Sequence, residues 1–397
     1  MTHLDAPTAR YLVGDVFERM AELEDGSVDL VMTSPPFLGL RSYLPAGHPD
    51  KAKEIGSETS PAEFLDTLLR LTAEWGRLLA PHGSICVELG DTYAGSGGGG
   101  DDYCDGWPLA KSLCGIPTLY AWSLAYGRNL LTGEPSPAGK WRVRNLVAWV
   151  RPNPPVGALG DKFRPATSFL TIACRARDRY FDLDAVRTPA NEANKRPSVN
   201  KREGIPGRAD QVVSPLGPDG QRIISHPAGA PPLDWWEIPP RGYRGAHYAT
   251  FPPELCERPI ETMCPRRVCT TCGQPSRRIV GETTYVRTDT DRVSARLAMS
   301  CGERVAERVN QHHQPNGANT SVTAHRETVG WSDCGHGTWR PGHVLDPFAG
   351  TGTTLAVAVG HGRAATGIDI DPRNADLARE RLGMFLTVDH PRAEVAS

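Results

Sequence analysis

No stretch of this 397-residue chain holds the roughly 18 to 20 consecutive apolar residues that crossing a bilayer as a helix requires. The first residues, Met1-Thr2-His3-Leu4-Asp5, carry neither the cationic nor the apolar region of a secretory signal, so a cytoplasmic location is expected. The ten cysteines are then expected to be reduced, serving as small core residues or metal ligands instead of disulfides. An excess of one charge is also missing. A formal net charge of -2 excludes a global pull toward nucleic acid and leaves only local basic patches, with Arg266-Arg267, Arg277-Arg278 and the spread from Arg187 to Arg222 as candidates. Apolar content of 39%, with 41 Gly and 35 Pro, excludes a coiled coil and suggests a globular α/β chain with long loops.

What is present is an alternation of strands and helices. Tyr11–Val13 reads as a short strand, Gly14-Asp15 as a turn, and Val16, Met20 and Leu23 as the stripe of an amphipathic helix. A strand at Val28–Met32, a helix from Pro61 to Leu79, a strand at Ser84–Leu89, a helix from about Leu109 to Tyr126 and a strand at Leu146–Val150 follow. Near the other end, strands at Val344-Leu345 and Ala365–Ile368 bracket one helix, and Pro372 begins another. This order predicts a doubly wound, mostly parallel sheet with irregular insertions. Ala94 to Gly106 is too Gly-rich for regular structure and reads as a mobile loop over a site or as a linker. Arg187 to Ala230 lacks periodicity and reads as a long loop or a small irregular domain.

Two segments lie where strands would deliver their carboxyl ends, the edge at which open α/β sheets bind ligands. They are Thr33-Ser34-Pro35-Pro36-Phe37 and Asp346-Pro347-Phe348-Ala349-Gly350-Thr351-Gly352. Gly350 and Gly352 let the backbone turn tightly and approach a ligand. Thr353 then opens a helix whose free N–H groups suit a carboxylate. Asp369, after the next strand, is placed to accept ribose hydroxyls. Asp371 is its rival, although its position before Pro372 suits a helix cap.

Together the segments resemble the catalytic [S/D/N]-P-P-[Y/F] loop and the F-x-G-x-G cofactor loop of DNA amino-methyltransferases, in the order of that family's beta group. The resemblance implies a Rossmann-like methyltransferase that uses S-adenosylmethionine on double-stranded DNA with an extruded target base. Ser34 and the Pro35 carbonyl would accept the hydrogens of an exocyclic amine, and Pro36 would help to stiffen the loop. Phe37 would offer a face for the extruded base, or else serve the core. Asp346, Phe348, Gly350, Gly352, Thr353 and Asp369 would form the cofactor half. Asp15 corresponds to a family position near the adenosine, with a helix cap as its alternative. His247–Pro252, including Thr250 and Phe251, resembles the segment that packs beside the cofactor. Arg151 stands where the family usually has Lys in the loop after the fourth strand. Ser at the first catalytic position implies cytosine N4 as target, with adenine N6 as the alternative. Carbon-5 methylation is disfavoured because no Pro-Cys dipeptide supplies a nucleophile. An inactive zinc-ribbon DNA-binding protein is the competing reading from another class. A cognate restriction endonuclease acting separately remains an open partner, as does a second copy of the chain.

Between Arg266 and Gly342 the chain carries an insert that other members of that family lack. It holds Cys269-Thr-Thr-Cys272 and Cys334-Gly-His336, spaced for a tetrahedral structural zinc, with Cys301 as rival to His336. The expected division is a catalytic part at 1–190, target recognition at 191–245, a cofactor-side segment at 246–264, a zinc ribbon at 265–342, the S-adenosylmethionine part at 343–386 and a tail at 387–397.

Overall fold

The computed structural model describes residues 8–40, 42–95, 106–154, 160–187, 230–240, 251–282, 284–289, 320–325 and 327–391. In chain order the strands are β1 (Ala9–Val13), β2 (Val28–Thr33), β3 (Leu79–Leu89), β4 (Arg142–Val150), β5 (Thr167–Cys174), β6 (Trp235–Glu237), β7 (Arg267–Cys269), β8 (Arg278–Val280), β9 (Thr284–Asp289), β10 (Thr320–His325), β11 (Thr328–Trp331), β12 (Trp339–Pro341), β13 (His343–Asp346), β14 (Ala364–Asp369) and β15 (Leu386–Asp389). The helices are α1 (Val16–Ala21), α2 (Pro61–Leu78), α3 (Ile116–Tyr126), α4 (Glu254–Met263), α5 (Thr353–Gly360) and α6 (Pro372–Leu382). None is long and apolar enough to cross a membrane among the described residues.

Nine strands form one sheet in the order β15-β1-β14-β13-β2-β3-β5-β4-β6, and only β5 runs against its neighbours. The doubly wound, mostly parallel sheet is thus the observed fold. Every residue of β2 is buried, as a central strand covered on both faces requires. One face packs Leu12, Val31 and Ile85 against Phe64, Leu68 and Trp75 of α2. The other packs Leu30, Met32 and Val344 against Leu255 of α4, Leu355 of α5 and Ala378 of α6. Ser60 caps α2 by accepting from Glu63 N, and Pro61 fixes its first turn. Because β2 and β13 pair in parallel, with Leu30 opposite Val344 and Val31 opposite Leu345, the two segments that follow them emerge side by side.

Three elements start several residues from where expected: β3 at Leu79 instead of Ser84, β4 at Arg142 instead of Leu146, and one helix. Helix α3 begins at Ile116, not near Leu109, because Gly115 takes φ +75° and Asp91 accepts from the N–H groups of Gly115 and Ile116. The residues before it pair instead with the loop after β3, Lys111 N donating to Ala94 O and Ala94 N to Ser112 O.

The chain divides into two compact units. One comprises 1–185, 233–277 and 332–397 and contains the large sheet and the β7–β12 pair. The other comprises 186–232 and 278–331, within which β8 pairs with β11 and β9 with β10, both antiparallel.

Candidate active site and metal centre

An open cleft of about 750 Å³ lies at the carboxyl edge of the parallel strands. Ser34 and Pro36 from the loop after β2 line it together with Pro347, Phe348 and Gly350 from the loop after β13 and Asp369 at the end of β14. Segments more than 300 residues apart in sequence therefore share one wall. Gly14 and Asp15 enter from the turn before α1, and Tyr43, Glu54 and Ile55 from the loop between β2 and α2.

Asp369 accepts Gly350 N at 2.9 Å on one oxygen, and Asp371 N at 2.8 Å and Asn374 Nδ2 at 3.0 Å on the other. These fill three of the roughly four acceptor positions of a carboxylate, leaving about one for a ligand. Burial pushes its carboxyl up to about 6 against those hydrogen bonds. Asp371 caps α6, accepting from Arg373 N, and does not line the cleft. Asp15 does both things at once. Its Oδ1 caps α1, accepting from Phe17 N and Glu18 N, while the residue lines the cleft.

Four residues expected around the cofactor make contacts within the fold. Asp346 is buried off the cleft, where Oδ1 accepts from Thr33 Oγ1 at 2.7 Å and Phe348 N at 3.1 Å and Oδ2 accepts from Thr354 Oγ1 at 2.6 Å. It braces the end of β2 against the loop after β13, and burial pushes its pKa up to about 6. Gly352 is buried with φ +74°, and a Cβ there would meet that of Ala378 at 3.0 Å, so it permits close packing of α5 on α6. The hydroxyl of Thr353 accepts from Arg381. Phe251 packs on the core face formed by α4 to α6, and Thr250 lies outside the described residues.

Ser34 is half-buried, and its hydroxyl donates to Glu88 Oε2 at 2.6 Å. Glu88, at the end of β3, is 3% exposed. Burial raises its pKa, opposed by hydrogen bonds from Ser168 and Ser34 and by the charge of Arg151. Arg151 donates to Ser168 Oγ at 3.1 Å, giving a chain Ser34–Glu88–Ser168–Arg151. Pro35 is buried, and the ring of Phe37 lies against Gly90, where any Cβ would come within 2.6 Å of it. Phe37 thus leans on the core without lining the cleft. Sequence reasoning missed Glu88, since one carboxylate in Val87-Glu88-Leu89 hardly disturbs an apolar run; its position beside Gly90-Asp91 at a strand end was the available signal. It also missed Tyr11, whose hydroxyl donates to Gly350 O at 2.6 Å and pins the loop after β13.

The β7–β12 pair carries Cys269, Cys272, Cys334 and His336 to one point, with one potential ligand atom from each within 4.8 Å of the others. Cys269 Sγ lies 3.5 Å from His336 Nδ1. Burial works to raise the Cys269 thiol, but the N–H groups of Cys272 and Thr271 and the Cys334 and Cys272 thiols bring it down to about 6. Cys301 lies outside the described residues. Arg340 of β12 ties this pair to the core, holding Asp29 of β2 through contacts of 2.6 and 3.2 Å. His82 Nε2 and His343 N bond the same carboxylate, each at 2.8 Å.

Comparison with known proteins places this geometry. A family model described as DNA methylase matches residues 28–267 and 337–380, skipping the Cys/His segment. The chain is 23% identical over 384 residues to the Type II methyltransferase M.XycI of Xanthomonas campestris pv. cyanopsidis, covering 93% of this chain and 86% of that protein. To the Type II methyltransferase M.SmaI of Serratia marcescens it is 22% identical over 389 residues, covering 94% and 91%. Among solved structures, the PvuII DNA methyltransferase (cytosine-N4-specific) aligns at 13% identity and a TM-score of 0.49, over 96% of this chain and 90% of that one. With its family model matched over more than half its length, the chain belongs to the DNA methylase family of N6 and N4 methyltransferases.

Proposed function

We propose that this DNA methyltransferase transfers a methyl group from S-adenosylmethionine to the N4 amine of an extruded cytosine. The observation that carries the reading is one cleft wall shared by Ser34 and Pro36 with Phe348, Gly350 and Asp369. The cleft suits the cofactor. Val16, Ile55, Phe348 and Ile368 offer apolar surface for an adenine ring, Asp369 and Asp15 carry acceptors for sugar hydroxyls, and Gly14 and Gly350 let backbone come close. When bound, S-adenosylmethionine supplies an electrophilic methyl group on sulfur.

The remaining chemistry belongs to the chain. An exocyclic amine is a poor nucleophile because its lone pair is delocalised into the ring. Ser34 Oγ already donates its proton to Glu88, so its lone pairs face outward as acceptors for an amine N–H, and the Pro35 carbonyl can take the other. The nitrogen gains a methyl and must shed one proton. Ser34 and the buried Glu88, whose carboxyl is shifted by burial toward holding a proton, offer the route. Serine at the first loop position favours cytosine over adenine. Mass spectrometry of nucleosides from DNA of cells expressing the chain is expected to find N4-methylcytosine; N6-methyladenine in its place would overturn the target assignment.

The same reading assigns sequence recognition to residues 191–245, most of which lie outside the described residues. It assigns a structural zinc to Cys269, Cys272, Cys334 and His336, whose three thiols and imidazole match a tetrahedral donor set. Elemental analysis should find roughly one zinc per chain, lost on Cys272→Ser. Purified protein without stoichiometric metal would discard this assignment.

A further inference from the structure

Three segments meet beyond the catalytic end of β3. The loop after β3 pairs through Ala94 with Lys111 and Ser112. Lys162, in the loop leading into β5, sets its Nζ over the Tyr93 ring at 3.4 Å from the centroid, and Asp161 beside it pairs with Lys111 at 3.3 Å. Ala166 closes that loop onto the active site, accepting from Arg151 N at 2.8 Å, and Ser168 joins Arg151 to Glu88. Between these anchors stands Phe163, 99% exposed and flanked by the exposed Lys162 and Arg164. A phenyl ring held fully in water on a braced loop contributes nothing to the core.

We infer that Phe163 is a wedge that enters duplex DNA where the target base leaves the stack, with Arg164 gripping an adjoining phosphate. Extruding a base costs unstacking energy and leaves a gap between neighbouring pairs, which a flat apolar side chain fills. The exposed cation of Arg164 beside the ring matches a phosphate that flanks such a gap. The loop rises from the same network that holds Ser34, so a ring seated in the stack lies near the pocket that receives the base. Phe163 takes no part in the cofactor cleft or in proton transfer. The inference rests on the reading of base extrusion and deepens it.

The test compares methyl transfer from labelled S-adenosylmethionine to duplex bacterial genomic DNA and to the same DNA after heat denaturation. Phe163→Ala should slow transfer to the duplex by roughly tenfold or more, leave transfer to denatured DNA within about twofold, and keep cofactor affinity, while Phe163→Trp restores the duplex rate. Equal losses on both substrates, or none on either, would overturn the wedge. Anisotropy with a labelled duplex fragment reads the flanking cation without any turnover. Arg164→Ala should bind several-fold more weakly with a shallower salt dependence, and unchanged binding would also overturn the proposal. The methylated base is identified separately in the wild-type product, so a wrong N4 assignment would leave the duplex-to-denatured ratio intact.

Discussion

Carboxylates at the two ends of the parallel strands live under opposite conditions. At the amino end Asp29 meets Arg340 and His82. Burial alone would raise its pKa, but the hydrogen bonds and charges of those partners lower it. At the carboxyl end Asp346 and Asp369 are held by hydroxyl, amide and N–H donors without a cationic bond partner, and burial pushes both up to about 6. Glu88 belongs with them, since Arg151 donates to Ser168 and acts on Glu88 only through its charge. A carboxylate paired with a cation stays ionised and serves as a staple. One surrounded by neutral donors is poised to exchange a proton or to accept a ligand's hydroxyl. Cation pairing therefore sets Asp29 apart from Glu88 and Asp369, while Asp346, held by neutral donors off the cleft, remains a brace.

The largest effect that would sharpen this contrast comes from the hydroxyl at the centre of the site. If Ser34 accepts from the amine as proposed, Ser34→Ala should slow methyl transfer on the order of a thousandfold while leaving S-adenosylmethionine affinity nearly unchanged. Glu88→Gln should follow it, and transfer and calorimetry read the two quantities. Equal loss of cofactor affinity would break the division of the cleft into two halves. At the other end, Asp29→Ala should destabilise the fold by about 3 kcal/mol, since His82 and Arg340 lose their shared partner. Denaturant unfolding measures it. A catalytic defect without destabilisation would place Asp29 among the chemical acids.

Asp369 tests the poised class through pH. Its acid form persists up to about 6, so a ligand that needs the ionised acceptor binds more weakly as pH falls through that value, about tenfold between pH 7 and pH 5. For the free protein the sign reverses. The folded state holds this proton more tightly than the unfolded one, so the group's contribution to stability is present below about 4 and is lost as pH rises through about 6. Asp369→Ala should cost roughly 1 to 3 kcal/mol of cofactor binding, and Asp369→Asn should flatten the pH dependence. A pH profile unchanged in Asp369→Asn would transfer the titration to another acid.

Both loops could be read before any coordinates because each follows an apolar strand and uses residues with narrow conformational meaning. Val28–Met32 runs into Ser34-Pro35-Pro36, and Val344-Leu345 into Phe348 and Gly350. Cys269, Cys272, Cys334 and His336 were legible for a similar reason, since metal-ligand spacing is local at each end. The residues that escaped owe their roles to neighbours far away in sequence. Glu88 reads as one polar interruption of a strand until β2 sets Ser34 beside it, and Tyr11 reads as core until its hydroxyl meets Gly350 across 339 positions. Tyr43, Glu54 and Ile55 belong to a stretch without periodicity, and no pattern announces that they line the cleft. The start of α3 at Ile116 depends on Asp91, 24 and 25 residues before the N–H groups it accepts from, a contact that local spacing does not announce.

The smallest expected effect separates two glycines that look alike in sequence. Gly350 and Gly352 both take positive φ, +48° and +74°, so either alanine variant bears backbone strain of about 1 to 2 kcal/mol. Their surroundings differ. Gly350 lines the cleft, and its N–H and C=O are tied to Asp369 and Tyr11. Gly352 is buried against Ala378, where an added methyl group tightens the contact between α5 and α6. Gly352→Ala should therefore lower unfolding stability with a minor change in S-adenosylmethionine affinity, whereas Gly350→Ala should weaken binding beyond what its stability loss explains. Unfolding midpoints and calorimetry on the two variants decide it. If Gly352→Ala proves the more damaging to binding, the second glycine has a ligand role that its packing conceals, and the cofactor half extends past the cleft wall into the first turn of α5.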